Sequence, residues 1–404
     1  MKAEIITIGD EILSGQTIDT NSAYIGEKLN HLGIEIIFKT SVGDNIKNIS
    51  EAIYNALNRA DVVITTGGLG PTNDDLTKKA VVKVFRKNLV FHEEILKKVE
   101  SNFRKRGISM PKINQNQALI PQGAKALNNL WGTAPGIFIE DGKKLFFALP
   151  GVPLEMRSIL ESEVLKILQK KTKTKFFQKR LKTTGTAESV IYEKVEKLIK
   201  GKKDTNIAFL PSFLGVDIKL TTKSEEKLKE VGKEIKNILG NTIYGEEDIA
   251  LEEVLGKLLL EKKKTISVAE SCTGGLIGKR FTNVSGSSQW FERGVISYSN
   301  RSKIELLGVS EEMLEKYGAV SEQVAILMAE GIRRISKTDF GLSATGIAGP
   351  TGGTPEKPVG LVFIGFAHEN DSFAEKFLFG EDRNTNRERT AQAALNLVRL
   401  FLER

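Results

Sequence analysis

The sequence contains a single cysteine, Cys272, and only three histidines, His31, His92 and His368. One cysteine excludes an internal disulfide framework and is typical of a protein kept in a reducing cytoplasm. The histidines do not have the spacing of metal ligands, so neither a zinc site nor a histidine-dependent catalytic triad is supported. Hydrolytic chemistry in this chain would therefore need a base other than imidazole.

Long apolar runs are also missing. No stretch reaches the roughly 18 apolar residues that a membrane span needs, and residues 1–6 enter a strand without the layout of a signal peptide. We therefore expect a cytoplasmic protein with no membrane partner. Hydrophobic residues make up 40% and charged residues 27% of the chain, which is typical of globular proteins. Its 404 residues are enough for two or three domains.

Positive charge exceeds negative charge. The chain has 59 Lys and Arg residues against 51 Asp and Glu residues, a net charge of +8. Much of this excess is lysine scattered over 170–182 and 257–264, so a solvated lysine-rich surface explains it, and an anionic ligand is compatible with it. Nucleic acid is an open alternative that we do not expect.

Residues 1–168 alternate the patterns of strands and helices. Apolar strands are predicted at 3–8, 34–38 and 61–66, with a helix capped by 20–22 and a second helix at 46–57 between them. This βαβ order predicts a parallel, doubly wound α/β sheet. Such sheets bind ligands at the carboxyl ends of their strands.

Two loops follow strand ends of this kind. Gly9-Asp10-Glu11 follows the first strand, and Gly67-Gly68-Leu69-Gly70, with Asp74 and Asp75 soon after, follows the third. Glycines let backbone amides approach a phosphate closely, and carboxylates are hard ligands for a divalent cation. Asp10 would join Asp74 and Asp75 if the two strands are neighbours. The pattern favours a nucleotide or phosphate site with a divalent metal ion; a glycine turn before an acidic helix is the alternative.

Residues 251–404 form a unit organised around Ser271-Cys272-Thr273-Gly274-Gly275. This stretch lies between an apolar strand at 265–269 and a helix at 276–281, so its hydroxyls lie at the end of a sheet. Backbone amides of the first helical turn would face whatever binds there and favour negative charge. An activated serine or a bound phosphate suits this turn, and simple helix capping by Ser271 or Thr273 is the alternative.

Amide hydrolysis needs a nucleophile, a base and donors for the developing oxyanion. A lysine can be the base when burial depresses its pKa, as in Ser–Lys dyads. Lys303 is the candidate because it follows the predicted strand 294–298 at the start of a helix, although a surface lysine is the commoner interpretation. Cys272 is a rival nucleophile. The loop at 345–353, after the strand 340–344, is a second backbone nest for a phosphate or ribose.

Several N-terminal motifs together resemble the molybdopterin-binding-like domain of the CinA family. They are Gly9-Asp10-Glu11-Ile12-Leu13, Thr20-Asn21, Gly67-Gly68-Leu69-Gly70-Pro71-Thr72, Asp74-Asp75 and Leu149-Pro150-Gly151-Val152-Pro153-Leu154-Glu155-Met156. The resemblance implies a divalent-metal-dependent ADP-ribose pyrophosphatase, with Asn21, Gly67, Gly68 and Gly70 at the substrate and Asp10, Asp74 and Asp75 at the metal. Related molybdopterin-binding enzymes usually carry another residue in place of Leu69, which weakens a pterin assignment. A pterin-binding module without hydrolysis is a further interpretation.

The segment 169–250 resembles the small α+β, KH-like middle domain of full-length CinA proteins. Helices are predicted from Gly185 and at 225–239, and strands at 207–210 and 216–221, after a basic linker at 170–182. The segment lacks a Gly-x-x-Gly loop, so clamping of RNA as in KH domains is not expected. A spacer or a dimer contact is preferred, and we expect a homodimer.

Motifs of the third unit resemble the CinA C-terminal domain. They are Ala269-Glu270-Ser271-Cys272-Thr273-Gly274-Gly275, Ser285-Gly286-Ser287-Ser288, Tyr298-Ser299-Asn300 with Lys303, Gly318-Ala319-Val320-Ser321 and Thr345-Gly346-Ile347-Ala348-Gly349-Pro350. The resemblance implies a nicotinamide mononucleotide deamidase that uses a Ser/Lys dyad and no cofactor.

Roles follow from this resemblance residue by residue. Ser271 would be the nucleophile and Lys303 the base, while Ser288 and Tyr298 would support proton transfer or orient the substrate. Either Ser271 or Ser288 could attack, and Ser271 is preferred because of its strand-to-helix turn. The substrate would be held by Thr273, Gly274, Gly286, Thr345 and Gly346, with Arg383 or Arg387 at its phosphate.

The predicted architecture is therefore three α/β or α+β domains, at 1–168, 169–250 and 251–404. The expected ligands are two small nucleotides, nicotinamide mononucleotide and ADP-ribose. A competence- or damage-linked accessory protein that acts by binding is the alternative from a different functional class.

Overall fold

The computed structural model describes residues 1–72, 74–172, 176–202 and 204–404. They form two compact units, Met1–Phe177 and Gln178–Arg404, and each is described by itself. No helix among these residues is long and apolar enough to cross a membrane. Asn73, in the predicted glycine-rich loop, and 173–175, in the predicted linker, lie outside the described residues.

The first unit contains eight strands in its described part. They are β1 (Lys2–Ile8), β2 (Glu35–Val42), β3 (Val62–Thr66), β4 (Leu89–Phe91), β5 (Leu119–Pro121), β6 (Lys125–Leu127), β7 (Gly136–Asp141) and β8 (Lys144–Leu149). Six of them form one sheet in the order β2-β1-β3-β8-β7-β6, and β4 pairs with β5 separately. Strands β2, β1, β3 and β8 are parallel, whereas β7 and β6 add an antiparallel edge. The parallel α/β sheet is confirmed, with an edge that the sequence pattern did not predict.

Helices cover both faces of this sheet. They are α1 (Asp10–Leu13), α2 (Thr20–His31), α3 (Ile46–Arg59), α4 (Thr77–Phe85), α5 (Glu93–Lys105), α6 (Pro153–Ile159) and α7 (Leu165–Lys171), with a 3-10 turn at Lys112–Ala118 and a π turn at Leu160–Val164. Neighbouring strand residues belong to opposite cores: Ile5 packs into one and Ile6 into the other. Burial on both faces explains why the strands are apolar throughout. Helix α2 is capped by Asp19, which accepts the Ser22 N–H at 2.8 Å, and not by the predicted segment 20–22.

The second unit begins with a four-stranded α+β layer. Its elements are β9 (Phe177–Thr183), α8 (Glu188–Gly201), β10 (Thr205–Ser212), β11 (Gly215–Thr222), α9 (Glu225–Leu239), a 3-10 turn at Gly240–Thr242 and β12 (Ile243–Glu246). The strand order is β10-β11-β9-β12. Alternate residues of β11 are buried, as expected for a strand with one face on a core and one toward solvent.

The rest of the second unit surrounds a five-stranded sheet. Its elements are α10 (Leu251–Glu261), β13 (Ile266–Glu270), α11 (Leu276–Asn283), β14 (Phe291–Ile296), α12 (Asn300–Leu307), α13 (Glu311–Tyr317), α14 (Glu322–Ser336), β15 (Phe340–Gly346), β16 (Leu361–Ala367), β17 (Ser372–Leu378) and α15 (Arg383–Leu402), with a 3-10 turn at Ser287–Gln289. The order is β14-β13-β15-β16-β17, and β14, β13 and β15 are parallel. This places the carboxyl ends of three neighbouring strands at one edge.

Helix α15 joins this sheet to the α+β layer. Gln392 Nε2 donates to Thr184 Oγ1 at 3.0 Å, and Arg399 Nη2 donates to the carbonyl of Asn241 at 2.7 Å. Arg399 is fully buried, so the second contact satisfies a charged group inside the unit.

Candidate active sites

Three strand ends assemble the site in the second unit. Glu270, at the end of β13, pairs with Ile296 of β14 on one side and with Ala344 of β15 on the other. The segments that follow these strands, 271–275, 297–303 and 345–353, therefore begin at the same edge of the sheet. This is the edge at which parallel sheets bind ligands.

Ser271 and Lys303 meet at this edge. Lys303 Nζ donates to Ser271 Oγ at 3.1 Å, to the carbonyl of Ser297 at 2.7 Å and to that of Tyr298 at 3.5 Å. Helix α12 holds the lysine in place because Ser299 caps it, accepting the Ser302 N–H at 3.1 Å. The side chain of Lys303 is buried, with 1% of the residue exposed. The structure thus brings together the two residues that the sequence analysis paired.

Burial sets the protonation of this pair and of its neighbour. Desolvation lowers the pKa of Lys303 to about 8, so a fraction of the amine is neutral near physiological pH and can accept a proton. Burial, followed by the nearby Glu270 charge, raises the pKa of the Cys272 thiol to about 12. A protonated thiol is a poor nucleophile, so the arrangement favours Ser271 over Cys272.

The side chain of Glu270 accepts hydrogen bonds from backbone amides at the start of α11. Its carboxylate accepts the N–H groups of Gly275 at 2.9 Å, Ile277 at 3.1 Å and Gly278 at 2.8 Å, and only 1% of the residue is exposed. The expectation that these amides face a bound anion is therefore wrong, because the acidic residue before the turn folds back and satisfies them. An acid directly before a serine turn and a Gly-Gly helix start is the sequence signal that could have indicated this.

Two arginines of α15 reach the same edge. Arg387 donates to the carbonyl of Thr273 with Nη2 at 2.8 Å and with Nε at 3.3 Å. Arg383 donates to the carbonyl of Gly349 at 2.9 Å and to Tyr298 Oη at 3.1 Å. The first two turns of α15 thus place two positive charges beside the serine turn and the loop after β15.

The other predicted substrate residues fall into two groups. Thr273 is buried, and its Oγ1 has no partner among the described residues, while an added Cβ at Gly274 would lie 3.6 Å from Arg387 Nη2. Thr345 donates its hydroxyl to the carbonyl of Ala319 at 2.7 Å, and Gly346 leaves only 2.6 Å between an added Cβ and Val362. These structural contacts explain why threonine and glycine are found at positions 345 and 346 without a contact to substrate.

Ser288 and Gly286 lie apart from the pair. Both are exposed, in and before the 3-10 turn at Ser287–Gln289. Within the described part of the chain, no hydrogen bond joins Ser288 to Ser271 or to Lys303. The lysine contact therefore distinguishes Ser271 from Ser288.

The first unit has a cavity of about 430 Å³ at the ends of β1 and β3. These strands are neighbours, with Thr7 opposite Thr66, so both predicted loops reach it. Residues from both loops line it: Gly9, Gly67, Gly68, Gly70, Asp74 and Asp75. Gly67 has a φ of +111°, and an added Cβ would lie 2.1 Å from the carbonyl oxygen of Ile8. Only glycine fits this crossing of the two loops.

Two of the four backbone amides of Gly67–Gly70 already donate hydrogen bonds within the protein. The Gly67 N–H binds the carbonyl of Leu149 at 3.0 Å, and the Gly70 N–H binds Asp75 Oδ1 at 2.7 Å. Asp75 Oδ2 also accepts the Thr72 N–H at 2.8 Å. Over the described ranges, the amides of Gly68 and Leu69 have no protein acceptor. These two can bind an anion, whereas Asp75 holds the loop together.

Carboxylates gather beside this loop. Asp10 and Asp44 exchange hydrogen bonds with each other's backbone amides at 3.0 and 3.1 Å. Burial, and then the charges of Asp10, Glu11 and Asp75, raise the pKa of Asp44. No group of three or more His, Cys, Asp or Glu side chains in the described residues has the spacing of a metal site. A cation such as Mg²⁺ would therefore need substrate phosphates as ligands beside one or two of these carboxylates; the metal ion stays a prediction.

Asn21 lies beside this cavity without lining it. Its Nδ2 donates to Thr66 Oγ1 at 3.0 Å and to the carbonyl of Gly151 at 2.7 Å. It lines a separate cavity of about 100 Å³. Asn21 therefore ties β3 to the loop after β8.

Two residues that the sequence analysis missed lie in this region. Gln117 is fully buried in the wall of the 430 Å³ cavity, and neither its Oε1 nor its Nε2 has a partner among the described residues. Lys78 is buried, donates to the carbonyl of Asn116 at 2.8 Å, and has a pKa lowered to about 8 by desolvation. No local sequence signal could have found either, because both lie outside any motif.

Three family models match the chain. "CinA C-terminal domain" matches 248–402, "Probable molybdopterin binding domain" matches 4–170, and "Damage-inducible protein CinA KH domain" matches 178–245. The domain boundaries after 168 and 250 stay predictions.

Similar proteins cover the whole chain. It is 47% identical over 405 residues to a "Putative competence-damage inducible protein" of Caldicellulosiruptor bescii, covering 99% of this chain and 98% of that protein. It is 44% identical over 408 residues to a "CinA-like protein" of Kosmotoga olearia, covering 100% of this chain and 99% of that protein. A crystal structure of "the protein CinA with unknown function from Thermoplasma acidophilum" is 35% identical and covers 41% of this chain and 97% of its own, with a TM-score of 0.39.

Proposed function

The chain belongs to the CinA family, and we propose that its second unit hydrolyses nicotinamide mononucleotide to nicotinate mononucleotide and ammonia. The observation that carries this proposal is the 3.1 Å hydrogen bond between Lys303 Nζ and Ser271 Oγ in a buried setting. A buried amine beside a serine hydroxyl is the nucleophile–base pair that amide hydrolysis requires. The domain that contains the pair matches the CinA C-terminal family model.

The proposed reaction has two steps. Neutral Lys303 takes the proton of Ser271 Oγ as this oxygen attacks the carboxamide carbon, and the lysine then returns the proton to the leaving amine as the C–N bond breaks. Water, deprotonated by Lys303, attacks the resulting ester, releases the carboxylate and restores Ser271. The net reaction consumes one water and releases one ammonia for each amide.

The oxyanion needs donors other than the first amides of α11, because Glu270 already binds them. Thr273 Oγ1, buried and without a partner in the described structure, lies on the same turn as Ser271 and is our candidate. Arg383 and Arg387 would bind the substrate phosphate, to which guanidinium groups are well suited. Tyr298, which is exposed, would help to orient the substrate.

The test is ammonia release from nicotinamide mononucleotide by the full chain. We expect stoichiometric ammonia and nicotinate mononucleotide. Salt-sensitive DNA binding without ammonia release would contradict the proposal and favour an accessory protein that acts by binding.

We also propose that the first unit cleaves ADP-ribose at the 430 Å³ cavity. Support comes from the amides of Gly68 and Leu69, which can bind a phosphate, and from the carboxylates beside them. A divalent cation, held by Asp74 in the cavity wall together with the diphosphate, would neutralise charge on the substrate; Asp10, which accepts the Asp44 N–H, does not line this cavity. Gln117 has both amide groups available, and such an amide can pair with the donor–acceptor edge of adenine.

The test of this second activity is hydrolysis of ADP-ribose with and without a divalent cation. We expect cleavage that needs the cation. Binding of a pterin without any cleavage of ADP-ribose would favour the pterin-binding module instead.

A further inference from the structure

We propose that a second cavity, between the α+β layer and α15 in the second unit, binds a small nucleoside phosphate. The cavity measures about 550 Å³ and is formed by the start of α8, the β10–β11 turn, β17 and α15. This volume is ordinary for small-molecule sites. The Ser271–Lys303 pair does not line it, so the cavity is separate from the proposed deamidase site.

A buried acceptor without a donor lies in the wall of this cavity. Gln392 is 5% exposed, and its Nε2 donates to Thr184 Oγ1 at 3.0 Å. Its Oε1 has no partner among the described residues. A buried polar atom left unpaired is unfavourable, so a ligand that brings an N–H donor to Gln392 Oε1 removes that penalty.

Aromatic side chains supply a surface for a flat ring. Phe377 and Phe379 stack on each other with ring centroids 5.7 Å apart, and both line the cavity. Phe213, on the β10–β11 turn, also lines the cavity and is half exposed. Aromatic rings bind nucleobases of any identity by stacking, because every base has a π face.

Positive charge also lines the cavity. Arg389 donates through Nε to the carbonyl of Phe213 at 3.3 Å, and its terminal nitrogens have no partner in the part of the chain that the structure describes. Helix α8 also begins here: it has 14 residues, and its N-cap residue Ala187 offers no capping side chain. The terminal nitrogens of Arg389 and the helix N-terminus, which both line the cavity, favour a phosphate.

Two carboxylates accompany these groups. Glu188, the first residue of α8, and Glu375, on β17, line the cavity and are exposed. They repel a bare anion but accept hydrogen bonds from ribose hydroxyls or an exocyclic amine. A base with N–H donors, a sugar with hydroxyls and one phosphate uses all of these groups, which neither inorganic phosphate nor an apolar ligand does.

The experiment uses the full chain and 8-azidoadenosine monophosphate as a photoreactive probe. After irradiation, labelled peptides are mapped by mass spectrometry. We expect saturable labelling of peptides from 211–216 and 375–379 that unlabelled adenosine monophosphate suppresses. Mapping separates this cavity from any probe bound at Ser271 or at the glycine-rich loop. If labelling is absent from these peptides, the proposal is overturned.

Variants test the individual contacts. Arg389→Gln and Phe213→Ala should each reduce cavity labelling at least tenfold, while Arg301→Gln, an exposed arginine paired with Glu305, is the matched control and should leave it unchanged. Gln392→Leu should also reduce labelling. Thermal unfolding of each variant checks that it is folded. Unchanged labelling in Arg389→Gln and Gln392→Leu would show that the probe does not use this site.

Discussion

The carboxylate of Glu270 accepts the N–H of Gly278 at 2.8 Å and so closes the turn that carries Ser271. Lys303 holds the other side of the same serine at 3.1 Å. Ser271 is thus held between the buried carboxylate of Glu270, which binds its own helix, and the buried Lys303, whose hydrogen bonds within the described residues go to hydroxyl and carbonyl oxygens. This separation keeps the lysine unpaired with a carboxylate, so its pKa stays low.

The dyad gives the first prediction. Ser271→Ala and Lys303→Ala should each lower ammonia release from nicotinamide mononucleotide by at least about 10³-fold, since each removes the nucleophile or its base. Cys272→Ala and Ser288→Ala are the matched controls and should stay within about tenfold of the unmodified chain. The measurement is the rate of ammonia release by each variant of the full chain. Loss of activity in Ser288→Ala alone would move the nucleophile to Ser288.

The pH profile gives the second prediction. Because Lys303 must be neutral to act as a base and its pKa is lowered to about 8, kcat/KM should rise with pH and level off above about 8. A rate that is independent of pH from 6 to 9 would argue against a lysine base.

The ionisation of Lys303 gives the third prediction, which concerns the free energy of unfolding. The folded pKa of Lys303 lies below its ordinary value of 10.5, so the unfolded chain binds more protons between about pH 8 and 10.5, and this contribution to stability rises with pH across that window. Lys303→Met should abolish activity yet stabilise the fold by on the order of 1–3 kcal/mol below pH 8. Denaturant unfolding of the unmodified chain and of Lys303→Met at pH 7 and pH 10 measures the difference in their free energies of unfolding. An equal difference at both pH values would contradict a buried charge on Lys303.

Glu270 gives the fourth prediction, as a positioning residue. Glu270→Ala leaves three amides unpaired and should cost about 2–4 kcal/mol of stability. Glu270→Gln keeps one acceptor oxygen and should cost less. In the folded Gln variant we expect kcat to fall with KM nearly unchanged, since the turn and not the substrate contact is altered. A change in KM alone would instead mean that Glu270 contacts substrate.

The proposed metal requirement gives the fifth prediction. ADP-ribose hydrolysis should vanish with chelator and return with added Mg²⁺, while ammonia release is unaffected by either. Asp74→Asn is the sharper variant, because Asp75 binds the Gly70 and Thr72 amides and its substitution would disturb the loop itself. Asp74→Asn should therefore raise the Mg²⁺ concentration needed for half-maximal cleavage. Cleavage of ADP-ribose that continues in the presence of chelator would contradict the proposed metal requirement.

Sequence patterns predicted several of the elements in each unit, but not the antiparallel edge formed by β7 and β6 in the first sheet. The alternation of strands and helices predicted the parallel sheet of the first unit, and α9 has the bounds predicted for it, Glu225–Leu239. Local pattern also placed Ser271 at a strand-to-helix turn and Lys303 in the first turns of α12. These features are local because periodicity and turn chemistry are properties of a few consecutive residues.

Only the tertiary structure decided what each of these groups contacts. Ser271 and Lys303 are 32 positions apart, and it is the parallel pairing of β13 with β14 that brings their side chains to 3.1 Å. Burial, a property of the whole fold, lowers the pKa of Lys303 and raises that of Cys272, which favours Ser271 over Cys272 as the proposed nucleophile. The same folding turned Glu270 onto amides that local pattern had assigned to a ligand, and left the Gln117 amide and Gln392 Oε1 without a partner among the described residues. Hydrogen-bond partners and desolvation depend on residues distant in the chain, so no local pattern contains them.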